Sequence, residues 1–339
     1  MKLSPPIHQF FDRYLPHIKG VSDHTLKAYR DAFKLFLIFS ADYYGIKIKS
    51  LRLEQITSEL ILAFLDDLQS QRRNRARTRN QRVAALKSFA KMIRLLYPQH
   101  RAVAEAIFSI PQKRTQKTLV GFLHPDEILN VFHAVNLKRK EGSRDYALLH
   151  LLFDSGARAS EVATLNLDYF NPEHKTLAIL GKGNRFRMIE LEPKTTQLLQ
   201  LYIARFRPSP KPPYQHRLFV NQRREELTRF GIYRLCRKYL TMALPPKRLL
   251  TINPVHSFRH SCAVNMLARG LSASDVKNRL GHDNLQSTMT YLHLDLSLRK
   301  HIQKRYIHYM QSVIRLDPKI EEFLQWESDK DMIAWLDSL

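Results

Sequence analysis

The sequence predicts a mainly α-helical chain with one small β-sheet, divided into two domains. Three observations predict it. The chain has 339 residues, 44% of them hydrophobic, which exceeds one average domain and leaves enough apolar material for sizeable cores. Apolar residues recur at helical spacing through most of its length. Two short runs, at 176–180 and 185–191, read as strands around the turn Gly181-Lys182-Gly183-Asn184.

The elements follow in order. Ser22 can cap a helix that carries Leu26, Tyr29, Phe33 and Phe36 on one face. Thr57 or Ser58 can cap a second, with Leu60, Phe64 and Leu68. A third spans about 78–96, with an apolar stripe of Val83, Leu86, Phe89 or Ala90, Ile93 and Leu96. Lys87, Lys91 and Arg94 form a second stripe on that helix. Gln112–Thr118 follows Pro111, lacks apolar residues and reads as a linker. Beyond it, Pro125, Asp126 and Glu127 open a helix through Val135, and Tyr146–Phe153 is an apolar helix ending near Gly156. After the hairpin come a helix at 193–206 and a proline-rich loop at 208–214. Helices are then expected at 229–242, 256–268, 272–280 and 295–310. The domains are set at 1–111 and 119–318, joined by a linker at 112–118, with a C-terminal amphipathic helix at 319–339.

Charge narrows the function. Lys and Arg number 55 against 31 Asp and Glu, a net charge of +24. Between Gln71 and Lys117 there are thirteen Lys or Arg and one acid, Glu105. Arg72, Arg73, Arg75, Arg77, Arg79, Arg82, Lys87 and Lys91 are therefore expected to form a phosphate-binding face. A solvated charged surface is the blander alternative, and the scarcity of acids argues against it. Two cysteines, Cys236 and Cys262, make neither a disulfide framework nor a cysteine-rich zinc module. No apolar run reaches the length of a membrane span, and the first twenty residues lack a signal-peptide pattern. The expectation is a soluble intracellular protein whose partner is nucleic acid.

The second half holds the residues suited to chemistry. Arg158, in GARASE, sits where one helix ends and another begins, and a helix start favours an anion. An arginine there can grip phosphate bidentately. Lys182 occupies the hairpin tip between glycines. In HSFRH, His256 shares a helical face with Arg259 and His260. The histidine spacing could suit zinc, but no HExxH glutamate is present and Arg259 would repel a cation. His282 follows Gly281, and Tyr291 comes nine residues later. Two arginines, two histidines, a lysine and a tyrosine suit metal-free phosphoryl transfer. The cations would stabilise a pentavalent phosphate and favour a phenolate nucleophile at Tyr291.

The order and spacing of GARASEVATLNL, ILGKGNRFRMIEL, HSFRHSCAVNMLARG and LGHDNLQSTMTYLHL resemble the tyrosine recombinases, the phage-integrase family. The segment GVSDHTLKAYRDAFKLFLIF is similar to that family's helical core-binding domain. One departure is Phe258, at a position usually held by Leu. The resemblance implies a SAM-like core-binding domain and a catalytic domain closing on DNA as a C-shaped clamp. It implies a site-specific recombinase that needs neither metal nor cofactor. Tyr291 would attack a DNA phosphate and form a 3′-phosphotyrosyl bond. Arg158 and Arg259 would clamp the nonbridging oxygens, and His282 would add a hydrogen bond. Lys182 would protonate the leaving 5′-oxygen, His256 would assist with the tyrosine proton, and Glu161 would orient Arg158.

The implied partners are a specific double-stranded DNA site and three further copies of the chain, in a tetramer passing through a Holliday junction. Accessory recombination proteins fit the same picture, and a membrane does not. The implied location is cytoplasmic, at the nucleoid. The chain's general look is similar to recombinases carried by transposable elements. The C-terminal helix, acidic and amphipathic with Met332, Trp335, Leu336 and Leu339 at helical spacing, would dock on a neighbouring protomer or pack on its own domain. Two alternatives stay open: a DNA-binding protein on this fold without catalysis, and a relaxing enzyme of the type IB topoisomerase kind.

Overall fold

The structure is a computed structural model, described here for residues 1–115, 121–181, 183–282 and 291. It divides into two compact units, Met1–Thr118 and Leu119–Leu339.

The first unit is helical. Helix α1 (Ser4–Gln9) runs into a wider π-wound turn, Phe10–Ile18. Then come α2 (Asp23–Tyr44), α3 (Ser58–Ser70), α4 (Ala76–Leu96) and α5 (Arg101–Ser109). The expected caps form: the Ser22 and Thr57 hydroxyls accept from the Thr25 and Leu60 amides. Phe33, Phe36, Phe64 and Phe89 meet in one core, with ring centroids 5.2–5.3 Å apart in the Phe36–Phe64 and Phe33–Phe89 pairs. The stripe expected on α4 is the buried one: Val83, Leu86, Phe89, Ala90 and Ile93 all lie in this core.

The segment at 4–18 carries no helical expectation, because Pro5, Pro6 and Pro16 interrupt it. Pro5 and Pro6 sit in the first turn, where no amide bond is lost, and Pro16 falls within the widened turn. Phe10 from this segment is fully buried against Phe33 and Phe89.

The second unit is built around a buried helix. Helices α6 (Pro125–His133), α7 (Gly142–Ser155) and α8 (Ala159–Ala163) precede a three-stranded antiparallel sheet. Its strands are β1 (Phe170–Asn171), β2 (Thr176–Leu180) and β3 (Phe186–Glu190), with Leu180 opposite Phe186 at the hairpin. Then follow α9 (Pro193–Leu201), α10 (Arg229–Ala243), α11 (Pro246–Leu249), α12 (His256–Ala268) and α13 (Ala273–Leu280). The two-residue β1 is too short for a sequence pattern to reveal. The helix expected at 193–206 changes to a π-wound turn over Tyr202–Phe206.

Helix α7 is buried along nearly its whole length and packs against α12. Its buried Asp145 carboxylate accepts from the Tyr239 hydroxyl at 2.8 Å and from Arg144 at 2.6 Å. Cys236 and Cys262 are buried and unpaired. Among the described residues no helix is long and apolar enough to cross a membrane. The expected helices at 295–310 and 319–339 lie outside the described residues, as does part of the linker.

Two glycines shape the region between α7, α12 and α13. Gly156 ends α7 at φ +59°, and Gly281 ends α13 at φ +63°, both in the left-handed region. A Cβ on Gly156 would stand 2.4 Å from Leu280 Cδ2. Gly156→Ala should therefore destabilise the second unit by about 1–3 kcal/mol, through overpacking added to backbone strain. Urea unfolding of the variant and the wild-type chain measures it.

Candidate active site

Arg158 is the residue just before α8. Its amide donates to Glu161 Oε2 at 2.9 Å, and its Nη1 donates to Glu161 Oε1 at 2.6 Å. The carboxylate thus closes a capping box one turn ahead. This corrects one expectation. Helix α8 has only five residues, and the Arg158 amide donates to Glu161, so the short helix start is not by itself an anion site.

Glu161 also serves the sheet. On β3, Arg187 Nη2 donates to Glu161 Oε2 at 2.7 Å, while its Nε donates to the Arg279 carbonyl at 2.9 Å. One buried carboxylate therefore links α8, β3 and, through Arg187, the end of α13. Burial pushes the Glu161 carboxyl up. The Arg187 and Arg158 hydrogen bonds and charges outweigh that and hold it below the usual carboxylate range. Sequence reasoning places Glu161 beside Arg158 and misses Arg187, because a strand residue's partner depends on which face meets α8.

Arg259 comes from α12 and is 4% exposed. Its Nη1 donates to the Gly156 carbonyl at 2.6 Å and its Nη2 to the Leu280 carbonyl at 2.7 Å. Both acceptors are neutral. Burial, then the nearby Arg158 charge, lowers its pKa to about 10. Arg158 Nη2 reaches the Gly281 carbonyl at 3.4 Å. The glycine-ended turns of α7 and α13 thus supply the carbonyls that aim the arginines. A third clamp, Arg279, holds Asp154 Oδ1 at 2.5 Å and the Glu190 carbonyl at 2.9 Å, tying α13 to α7 and β3.

Tyr291 reaches this region and is buried, 4% exposed. Its hydroxyl lies 2.7 Å from His260 Nδ1. The expectation of a stabilised phenolate is corrected here: burial dominates the favourable Arg259 and Arg158 charges and raises the phenol to about 12. The histidine that meets the tyrosine hydroxyl is His260, one helical turn beyond His256. His256 stacks its ring near that of His260, centroids 6.1 Å apart. Partial desolvation, with Arg259 and Arg158, lowers the His256 pKa. His282 follows Gly281, its amide donating to the Lys277 carbonyl, and its charge acts on His260.

Lys182 lies outside the described residues. Its neighbours form the expected turn, with the Gly181 amide donating to the Arg185 carbonyl and Gly183 and Asn184 at positive φ. Among the described residues no group of three or more His, Cys, Asp or Glu is arranged to hold a metal ion.

The expected phosphate-binding set divides within the first unit. Arg72, Arg73, Arg75, Arg77 and Lys91 are exposed, and Lys87 is half-buried. Arg82 is half-buried and donates to the Ala28 carbonyl. Arg79 is a correction: it is 3% exposed and its Nη1 donates to the Pro111 carbonyl, so it braces the end of the unit instead of facing a ligand. Its position on the α4 helical wheel, on the side of Val83 and Leu86, carries the signal for this.

This geometry can be set against known proteins. The phage integrase family model matches residues 121–297, and the family's N-terminal SAM-like domain model matches residues 7–94. The chain belongs to the phage integrase family. Among curated relatives, it is 29% identical over 340 residues to y4rC of Sinorhizobium fredii, by description an integrase/recombinase, covering 99% of this chain and 98% of that protein. It is 29% identical over 305 residues to the tyrosine recombinase XerC of Anoxybacillus flavithermus, covering 88% and 95%. Among solved structures, the Tn1549 transposon integrase in complex with a circular intermediate DNA shares the fold at a TM-score of 0.65 and 17% identity, covering 88% of this chain and 99% of that one. Arg158, Arg259, His256, His282 and Tyr291 all fall inside the segment matched to the phage integrase family.

The buried carboxylate gives a test of the assembly. Because the folded-state pKa of Glu161 is lowered, its stabilisation is present above the ordinary carboxylate pKa and is lost as pH falls through the lowered value. Glu161→Ala strands Arg158 and Arg187 and should cost about 3–5 kcal/mol near neutral pH. Urea unfolding from about pH 6 to about pH 3 should show the wild-type advantage over this variant shrinking with acid.

Proposed function

We propose that this tyrosine-type recombinase of the phage integrase family cuts and rejoins DNA through covalent attack by Tyr291 on a backbone phosphate. One observation supports this above the rest. The buried Tyr291 hydroxyl shares its surroundings with Arg158 and Arg259; Arg158 and Arg187 bond the one carboxylate, Glu161, whose charge Arg259 also feels. Three guanidiniums against one carboxylate leave room for a bound anion, and a phosphodiester is the anion a recombinase meets.

In this reading Arg158 and Arg259 bind the nonbridging oxygens, and their charge grows in effect as the phosphate becomes pentavalent. His282 adds a hydrogen bond to the same oxygens. The Tyr291 oxygen displaces the 5′-oxygen, which takes a proton from Lys182, and a 3′-phosphotyrosyl bond stores the diester's energy. Neither metal nor nucleotide is required for that exchange. A 5′-hydroxyl from a partner strand then attacks, and two such rounds pass through a Holliday junction in a tetramer. Arg72, Arg73, Arg75, Arg77 and Lys91 on the first unit bind flanking phosphates, and the segment at 319–339 docks on a neighbouring protomer.

The test is covalent capture. Wild-type protein and Tyr291→Phe are incubated in EDTA with nicked duplexes from the DNA flanking the gene, then run on denaturing gels. The expected result is an adduct with wild type alone and equal DNA affinity for both. An adduct from the phenylalanine variant, or a requirement for metal, contradicts the reading. Relaxation of any supercoiled plasmid by a monomer would favour the topoisomerase alternative. Affinity should also fall about 10³-fold or more between about 50 and 200 mM salt if six or more phosphates are neutralised.

A further inference from the structure

Attack by Tyr291 requires its phenol to lose a proton, and the cations around it do not remove that proton in advance. The phenol is raised to about 12, so the resting hydroxyl is protonated near neutral pH. What takes the proton must reach the hydroxyl, directly or through one water. His260 does so, at 2.7 Å through Nδ1.

Helix α12 explains why this histidine is placed there. His260 follows Arg259 by one residue, so its ring points about 100° around the helix from the guanidinium that holds Gly156 and Leu280. It is therefore beside the arginine without competing for the same carbonyls. His256, one turn earlier, flanks it with a ring at 28° to its own. The His260 and Tyr291 rings lie 5.6 Å apart at 55°. Among the described residues, the charged and titratable groups facing His260 are His256, Arg259, His282 and Tyr291. Burial, then the His256, Arg259 and His282 charges, lowers the His260 pKa to about 3. The imidazole is thus neutral near neutral pH, with one nitrogen able to accept a hydrogen bond.

We propose that His260 is a catalytic residue on the nucleophile side: its Nδ1 accepts the Tyr291 hydrogen bond, fixes the hydroxyl, and receives the proton as the Oη–phosphorus bond forms. In the resting state the ring proton is then on Nε2. During attack a lone pair of Oη makes the new bond to phosphorus, and the O–H electron pair stays on oxygen while the proton passes to Nδ1. The bond from phosphorus to the 5′-oxygen breaks, and that oxygen takes its proton from Lys182. Transfer to a weak base is feasible because the phenol becomes strongly acidic as its oxygen bonds to phosphorus. The anionic phosphate also offsets the cations that now disfavour an imidazolium.

The assignment rests on Tyr291 being the nucleophile, and it gives His260 the role that sequence reasoning gives His256. Two measurements test it. In single-turnover cleavage of a nicked duplex at saturating protein, His260→Ala should slow adduct formation by about 10²–10⁴-fold with unchanged DNA affinity. His260→Asn, which keeps an acceptor near the Nδ1 position, should recover part of the rate. A sulfur in place of the leaving 5′-oxygen needs no proton, so it should rescue Lys182→Ala and leave the His260→Ala deficit in place. Cleavage by His260→Ala at the wild-type rate, or its rescue by the sulfur substrate, overturns the assignment. A wild-type protein that forms no adduct overturns the recombinase reading instead. Independently of DNA, nitrogen-detected NMR of the histidine side chains should find His260 as the Nε2–H tautomer, with its Nδ1 resonance moved by Tyr291→Phe. An unmoved Nδ1 resonance also overturns it.

Discussion

Two guanidiniums paired to one buried carboxylate, with a third guanidinium nearby, set the arrangement of the second unit. Glu161 binds Arg158 and Arg187 directly, and Arg259 is close enough for its charge to be felt by both Arg158 and Tyr291. Like charges at this spacing repel, and burial strengthens the repulsion. The fold offsets it with fixed backbone dipoles. The carbonyls of Gly156, Leu280, Gly281 and Arg279 each accept from one of these arginines. That use of carbonyls dictates where α7 and α13 must stop, and both stop at a glycine in the left-handed region.

The same arrangement connects architecture to reactivity. Strand β3 contributes Arg187, so the sheet that carries the hairpin is tied to α8 through Glu161. Helix α12 contributes Arg259 to the anion side and His260 to the tyrosine side from adjacent positions. Rotating α12 would move both together. The arginines alone do not activate Tyr291, because desolvation of the phenol exceeds their attraction for its anion. In the proposed mechanism the arginine charge serves the phosphate, and the His260 contact serves the proton.

Much of this was legible in the sequence, for stated physical reasons. The caps at Ser22 and Thr57, the α4 core stripe and the 176–180 strand follow from local spacing and local hydrogen bonds. Arg158, Arg259, His256, His282 and Tyr291 were marked by the order of their motifs, although no single motif was decisive. What escaped depends on contacts distant in the chain. Arg187 meets Glu161 from 26 residues away, and His260 meets Tyr291 from 31. Spacing put His256 and His260 on one helical face, and only the packed position of Tyr291 separates them. A run of arginines hides which one points inward, and the inward one, Arg79, binds the Pro111 carbonyl. The N-terminal helix was obscured by prolines that sit where a helix tolerates them.

In the proposed mechanism the excess of guanidinium over carboxylate receives a phosphoryl group. Diffraction from crystals of the protein soaked in tungstate, a heavy tetrahedral analogue of phosphate, tests it most directly. The account predicts an anomalous peak held jointly by Arg158 and Arg259, on the side that Tyr291 faces, and its loss in Arg259→Ala. Tungstate bound only along the exposed arginines of the first unit, with the Arg158–Arg259 position vacant, would contradict it.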